Sequence, residues 1–405
     1  MKKVVLSLAV LAFGFTATAQ SHKNNLTQNG SANNTTVSQM GLLLNNAETN
    51  QEGDGNKTDL TQSGSFNNAE TTQSGEENWA NIAQYGTGNQ VEVAQDGLNN
   101  RAVVDQREGG NISLNAQSGE YNSVYATQDG VINLSMVEQD GSRNEIISEQ
   151  SGMFNFSAIE QNGNSNTVAF TQGEFMNNST IAQNGDDNAV VFTQAGSGNV
   201  SAIGQAGNNN TYVGSQAGEG NTNVVSQGGE GNTANLVVTG NANKTTFNQA
   251  GDNNLADMNI VGNDNIVGMD QYGDNNSSII TIEGNDNRAY SYQLDNSESI
   301  IDQAGDRNVA HVVQYGDGQV SDLFQAGSYN RAEVTQDGSS NYNYVAQTGE
   351  NNKVTATQEG MLNYSTIMQD GSNHTATINQ TGNAHQNTIT QMGVGNMATV
   401  TQGLN

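Results

Sequence analysis

The 405-residue sequence contains neither cysteine nor proline. Without cysteine, a chain of this length outside the cytoplasm has no disulfides to hold it, so a repetitive device must take their place. Proline at the average usage of about 5% would occur roughly twenty times. Its exclusion points to a stack in which every strand is central, because proline cannot donate to a sheet ladder. Low apolar content with much Gly, Asn, Gln and Ser also suits a disordered chain, but disorder gives no reason to exclude proline. Basic residues are scarce as well: 12 Lys and Arg stand against 41 Asp and Glu, a net charge of −29. Such a chain is a poor partner for nucleic acid.

Long apolar runs are missing beyond the first residues. MKKVVLSLAVLAFGFTATA, residues 1–19, carries two lysines, an apolar run from Val4 to Phe15 and Ala17-Thr18-Ala19. This is the pattern of a secretory signal with a small-residue cleavage site. The run is too short to span a membrane, which needs roughly twenty residues, so the mature chain is expected to begin at Gln20 with no membrane span. Removing Lys2 and Lys3 leaves ten basic residues against 41 acidic ones, a mature charge of about −31.

What the sequence has is a ruler. Glutamine recurs every eleven residues without a slip from Gln62 through Gln73, Gln84 and Gln95 to Gln139, Gln150, Gln161 and on to Gln227. Counting from Gln28 to Gln402 there are thirty-five such anchors, all glutamine except Val238, Ile260 and Ile282. Glycine follows two residues later, as at Gly64, Gly75, Gly86, Gly141, Gly152 and Gly163, and asparagine five residues later, as at Asn67, Asn78, Asn89, Asn144, Asn155 and Asn166. The glycine is replaced at Glu108, Glu174, Asp295 and Leu404, and the asparagine at Leu44, Glu298, Gln319, His374 and His385.

Parity gives the local structure. Between Asn67 and Gln73 one alternate set is Asn67, Ala69, Thr71, Gln73; elsewhere that set carries Val91 and Val93 or Val168 and Phe170, whereas the other set is mostly polar. This predicts a seven-residue strand with one buried face, followed by a four-residue turn in which the glycine takes positive φ. One such unit cannot close a coil, so two must pair. The inward position seven residues after the anchor alternates between Ser113, Ser135, Ser157, Ser179 and Ser201 on one side and Val124, Ile146, Val168, Val190 and Tyr212 on the other.

The expected fold is therefore all-β: a two-sheet parallel β-solenoid of 22-residue coils, each made of two 11-residue strand-turn units, cross-β-like and uncapped. Stacking places each residue about 4.8 Å from its counterpart 22 positions earlier. In such columns each Gln or Asn amide is expected to donate to the one above, satisfying a polar core. Residues 20–405 read as a single array with two irregularities. The step from Gln39 to Gln51 is twelve residues and carries Leu42-Leu43-Leu44. The step from Gln293 to Gln303 is ten, and its LDNSES, residues 294–299, lacks both glycine and asparagine.

The pattern Q-x-G-x-x-N-x-A-x-x-x-Q, as in QSGSFNNAETTQ from Gln62 to Gln73, resembles the curlin repeat of curli subunits, bacterial extracellular amyloid proteins. The resemblance covers nearly the whole mature chain. It implies secretion through an outer-membrane channel, head-to-tail self-assembly into extracellular amyloid fibres, co-assembly with other curli-type subunits, and a role in biofilm matrix, adhesion and cell aggregation. The chain departs from typical subunits in its greater length and in the short segment from Gln20 to Thr27. Independently of the resemblance, open strand edges of matching register are a template for another copy. The alternative is a monomeric or co-assembling surface solenoid acting as adhesin or nucleator.

Other chemistries fit less well. Calcium-binding toxin repeats run at nine residues, an ice-binding face would present a flat rank of threonines, and no residue pattern supplies a catalytic base oriented by a partner. No enzyme activity, cofactor or metal is expected. His374 and His385 occupy successive asparagine positions, where a histidine replaces an amide more readily than two ligands make a metal site. Trp79 falls in the outward set.

Overall fold

In the computed structural model, which describes Lys3, Val4 and residues 22–403, the fold is an all-β parallel two-sheet solenoid of about 17 turns, with about 22 residues per turn. The leader expected over residues 1–19 lies outside the described residues except for the backbone of Lys3–Val4, which pairs antiparallel with Leu26 and Thr27. The chain divides into two compact units, Met1–Gly198 and Asn199–Asn405.

In the first unit, strands from Lys23 onward alternate between two sheets, and every parallel ladder among the described residues pairs residues one full coil apart. Ser113 pairs with Ser135 and Ser135 with Ser157 in one sheet, while Val124 pairs with Ile146 and Ile146 with Val168 in the other. Ser113, Ser135 and Ser157 are buried, as are Val124, Ile146 and Val168, so small polar side chains of one sheet face aliphatic ones of the other. Bulk is made up within the coil as well. Phe170 and Phe192 fill one column with their rings stacked at a centroid distance of 6.1 Å.

The second unit repeats the plan with a change in one column. Val238, Ile260 and Ile282 succeed one another in register and are followed by Gln303, so the three apolar anchors interrupt the glutamines of one sheet only. All three are buried.

Most strands run nine residues rather than the expected seven, as Asn68–Glu76 and Trp79–Thr87. The reason is that pairing continues through the anchor glycine: Gly75 stacks on Gly97 in register. Although Asn164, Asn208 and Asn383 hold the same place in nine-residue strands, the expected length holds from Thr233–Thr239 to Ser277–Glu283, where asparagine or aspartate stands three residues after each anchor. There the Oδ1 of Asp252 accepts the backbone N–H of Glu230 at 2.8 Å, and that of Asn263 accepts from Asn241 at 2.9 Å. A side chain takes the donor that would otherwise continue the ladder, an Asx device familiar from turns.

Both spacing faults are absorbed in turns. Gln39 pairs with Gln62 at a 23-residue offset, and the added residue emerges in Leu42-Leu43-Leu44, 74%, 51% and 43% exposed. Ile282 pairs with Gln303 at 21, and the shortened turn holds Asp295 and Asn296 at φ 28° and 50°.

Candidate functional site in the amide columns and turns

The glutamines form the columns that their spacing predicts. Gln62 Nε2 donates to Gln84 Oε1 at 2.8 Å, Gln73 to Gln95 at 2.8 Å, and Gln84 to Gln106 at 3.0 Å. Further along, Gln139 donates to Gln161 at 2.8 Å, Gln150 to Gln172 at 3.1 Å, and Gln161 to Gln183 at 2.8 Å. Each donor points to the later coil. The second Nε2 hydrogen reaches a backbone carbonyl of the facing strand, as from Gln73 to Lys57 O at 3.0 Å and from Gln150 to Leu134 O at 3.0 Å. The oxygen receives one donor and the NH₂ gives two, so these buried amides meet most of their hydrogen-bonding capacity within the protein.

The asparagines behave differently from the simple amide-on-amide column. Their Oδ1 accepts a backbone N–H from the next coil: Asn67 Oδ1 from Asn89 N at 3.1 Å, Asn78 Oδ1 from Asn100 N at 3.0 Å, and Asn144 Oδ1 from Asn166 N at 3.0 Å. Their Nδ2 reaches turn carbonyls, as from Asn78 to Gly97 O at 2.9 Å, from Asn144 to Gly163 O at 2.8 Å, and from Asn155 to Ser151 O at 2.6 Å. Only in some coils does the same Nδ2 also meet an amide oxygen, as Asn166 to Asn144 Oδ1 at 3.2 Å, and there it points back to the earlier coil. The shorter side chain thus joins neighbouring coils chiefly through their backbone and clamps the turn. Asn67, Asn78, Asn89, Asn144, Asn155 and Asn166 are all buried.

The glycine two residues after the anchor is a steric requirement. It holds positive φ, 119° at Gly64, 101° at Gly75, 113° at Gly86 and 119° at Gly141. A Cβ on Gly64 would fall 1.9 Å from Gly86 O, and one on Gly163 2.0 Å from Gly185 O. Gly152 faces the carbonyl of Glu174 in the same way, at 2.1 Å. Glu108 and Glu174 replace this glycine by adopting φ 65° and 69°, inside the left-handed region open to a side chain. A second left-handed position, four residues after the anchor, escaped the sequence reading because it tolerates almost any residue: Phe66, Asn99, Ile132 and Phe154 all hold φ between 54° and 60° there.

Several apparent exceptions prove to be substitutions in place. Asn45, not Leu44, occupies the asparagine site after the long turn, with Nδ2 3.2 Å from Gly64 O. Ser297 does so after the short one: its N–H donates to Asn276 Oδ1 at 3.1 Å and its Oγ to Leu294 O at 2.7 Å. LDNSES therefore retains a side chain for the column. Gln319 Nε2 reaches Gly338 O at 3.0 Å. His374 is buried; its Nδ1 accepts Asn396 N–H at 3.2 Å and its Nε2 lies 3.2 Å from Asp370 O. These partners assign the neutral ring with its proton on Nε2, a mimic of the amide. His385 places Nε2 3.1 Å from Thr381 O. His22, which the sequence reading missed, accepts Asn45 N–H on Nδ1 at 3.2 Å. Among the described residues no three His, Cys, Asp or Glu gather where a metal could be held.

Trp79 stands outward and half-buried, between Lys57 Nζ at 5.4 Å and Arg101 Cζ at 4.4 Å from its ring, and its Nε1 donates to Asp59 at 3.3 Å.

A family model described as the curlin associated repeat matches residues 53–86, 67–97, 75–107, 262–290, 327–360 and 349–382. The chain is a curlin-repeat protein. The matches fall in both compact units, and each spans roughly three of the eleven-residue units whose amides and glycines are described above. Curlin repeats belong to a structural rather than an enzymatic family. No curated protein matches this curlin-repeat chain. No helix among its described residues is long and apolar enough to cross a membrane.

Proposed function

We propose that this curlin-repeat protein is a secreted structural subunit that self-assembles into extracellular, curli-like amyloid fibres serving biofilm matrix, adhesion and cell aggregation. The observation that carries the reading is the uniform polarity of the coils. The glutamine columns donate toward later residues, and the oxygens of the asparagines five residues after the anchor accept from the same direction, as at Asn67 and Asn78. A coil thus offers one set of donors and acceptors on one edge and the matching set on the other, in parallel register. Any coil is complementary to a copy of itself, which is the property a head-to-tail polymer needs. Export through an outer-membrane channel and co-assembly with other curli-type subunits belong to the same reading. The amide columns and turn glycines, Gln62, Gly64 and Asn67 onward, are its working parts.

Fibre diffraction and dye binding on purified mature protein test it. Filaments with a meridional reflection near 4.7 to 4.8 Å support the fibre subunit. A monomer that stays soluble at high concentration selects the surface-solenoid adhesin or nucleator instead.

A further inference from the structure

Four of the few basic side chains share one outward column of the second unit. Lys244, Arg288, Arg331 and Lys353 open their strands, in register through Ile266 and Val309, and all four are exposed. Lys244, Arg288 and Arg331 therefore recur at every second coil, about 9.6 Å apart.

Beside them lies a groove of about 620 Å³. Its floor is Gly268, the one outward position there without a side chain; a Cβ would fall 2.9 Å from the Tyr290 ring. Tyr290 leans over this gap and stacks on His311, centroids 5.1 Å apart. Burial pushes the His311 imidazole below its ordinary value, so at neutral pH it is an uncharged ring. The acidic side chains lining the groove are engaged: Asp270 accepts the Tyr290 hydroxyl and Glu333 pairs with Arg331. Lys244, Arg288 and Lys353 have no ion-pair partner among the described residues. In a chain with 41 carboxylates, a line of four cations, three of them without an ion-pair partner, beside an aromatic pair is an anomaly that a ligand would explain.

We propose that this groove binds a carboxylated polysaccharide lying along the stack. Arginine and lysine supply charge-assisted hydrogen bonds to successive carboxylates, and the Tyr290–His311 pair offers an apolar face to sugar C–H groups. The spacing selects among polyanions. Duplex nucleic acid carries a charge per about 1.7 Å of axis, far denser than cations every second coil, and the chain's net charge opposes it. A polymer with one carboxylate per sugar or per disaccharide is sparse enough to match.

The test is binding of a fluorescent oligogalacturonate to the full mature chain, beside a neutral oligosaccharide of equal length and a DNA oligonucleotide. The acidic sugar is expected to bind with marked salt dependence and the neutral one not. Lys244→Glu/Arg288→Glu should weaken binding by about tenfold or more, and Gly268→Ala, which displaces the Tyr290 ring, should weaken it also. Arg143→Glu, an exposed cation of the first unit, should leave it unchanged. Equal binding of neutral and acidic sugars, or full binding by the double charge reversal, overturns the proposal. Tighter binding of DNA that is lost in the same variant overturns it in favour of nucleic acid. Because the groove lies within one unit, these outcomes are readable whether or not the protein forms fibres.

Discussion

Gln303 stands one coil after Ile282 in the same inward column, and its buried Oε1 has no donor. The amide still gives its own hydrogens, to Gln325 Oε1 at 2.7 Å and Arg288 O at 3.2 Å. The fault is thus a single unsatisfied acceptor at the point where an apolar run hands over to an amide run. A column with fixed polarity has one such acceptor wherever it starts, and a substitution at its head moves the fault rather than adding one.

This makes an unequal pair of substitutions. Gln303→Leu removes one orphan acceptor and creates another at Gln325. Gln325→Leu leaves the Gln303 oxygen orphaned, takes from the Gln303 Nε2 its acceptor at 2.7 Å, and orphans the oxygen of Gln347, which now accepts from Gln325 at 2.8 Å. An unsatisfied buried acceptor costs about 1–3 kcal/mol, so Gln325→Leu is expected to be the more destabilising by roughly that amount. Urea midpoints of the two variants at unchanged slope decide it; equal midpoints would show that the columns do not act as directional chains.

Tyr212 and Gly214 make a second pair. A Cβ at Gly214 would fall 2.2 Å from the Tyr212 hydroxyl, while the next coil places Ala234 and Leu236 at the same two positions. Large and small have changed places from one coil to the next. Gly214→Leu should therefore cost more than the 1–3 kcal/mol typical of overpacking, and Tyr212→Ala/Gly214→Leu, which copies the neighbouring coil, should recover most of the loss. A double-mutant cycle measures the coupling, and additive effects would refute it.

The period, the inward set and the 22-residue register were legible because stacking makes each residue its own neighbour: Ser135 reports the surroundings of Ser113 and Ser157, so a pattern visible in one dimension is already a contact map. The asparagine clamp was not legible, since Asn67 and Gln73 differ by one methylene and only geometry shows that the shorter one reaches the Gly86 carbonyl at 3.1 Å. Ser297, Asn45 and His22 were hidden because each holds the site from a frame shifted by a turn of different length or by another residue type. The bulky left-handed residues, Phe66 and Ile132 among them, gave no compositional signal at all.

The two glycine classes should separate on substitution. Gly75 is hemmed by Gly97 O, which would stand 2.2 Å from a Cβ there, whereas nothing lies within 4 Å of a Cβ at Gly88, whose position four after the anchor holds Asn99 at φ 54° in another turn. Gly75→Ala must break coil-to-coil pairing, while Gly88→Asn should cost no more than about 1 kcal/mol. Hydrogen exchange of the amides flanking each site reads the difference. Equal protection in both variants would mean that the close approach at Gly75 relaxes without loss.

Charge should govern how coils of different chains join. Glu48, Glu70 and Glu92 are exposed and in direct register on one face of the first unit, and Glu138 stacks on Glu160 in the same sheet. Each pair sits one coil apart, so carboxylates repel along the column, and a net charge of −29 extends that repulsion to approaching copies. In the second unit, burial first and then the charge of Glu283 raise the Asp302 carboxyl above its ordinary 3.8. A raised folded-state value means that its contribution to stability is fully present below the ordinary value and is lost as pH rises through the raised one. Acid therefore favours the stacked state at this residue, in the same direction as the general repulsion. Assembly is expected to be slow at neutral pH and low salt. Its lag should shorten as ionic strength rises from about 0.01 to 0.15 M, where the Debye length falls from about 30 to 8 Å, and shorten again from pH 7 toward pH 4 as carboxylates take up protons. Dye-monitored growth at fixed protein concentration across that grid makes the measurement. A lag that lengthens with salt or acid would show that favourable ion pairs such as Lys57–Asp59 at 2.6 Å, rather than acidic repulsion, control the joining of chains.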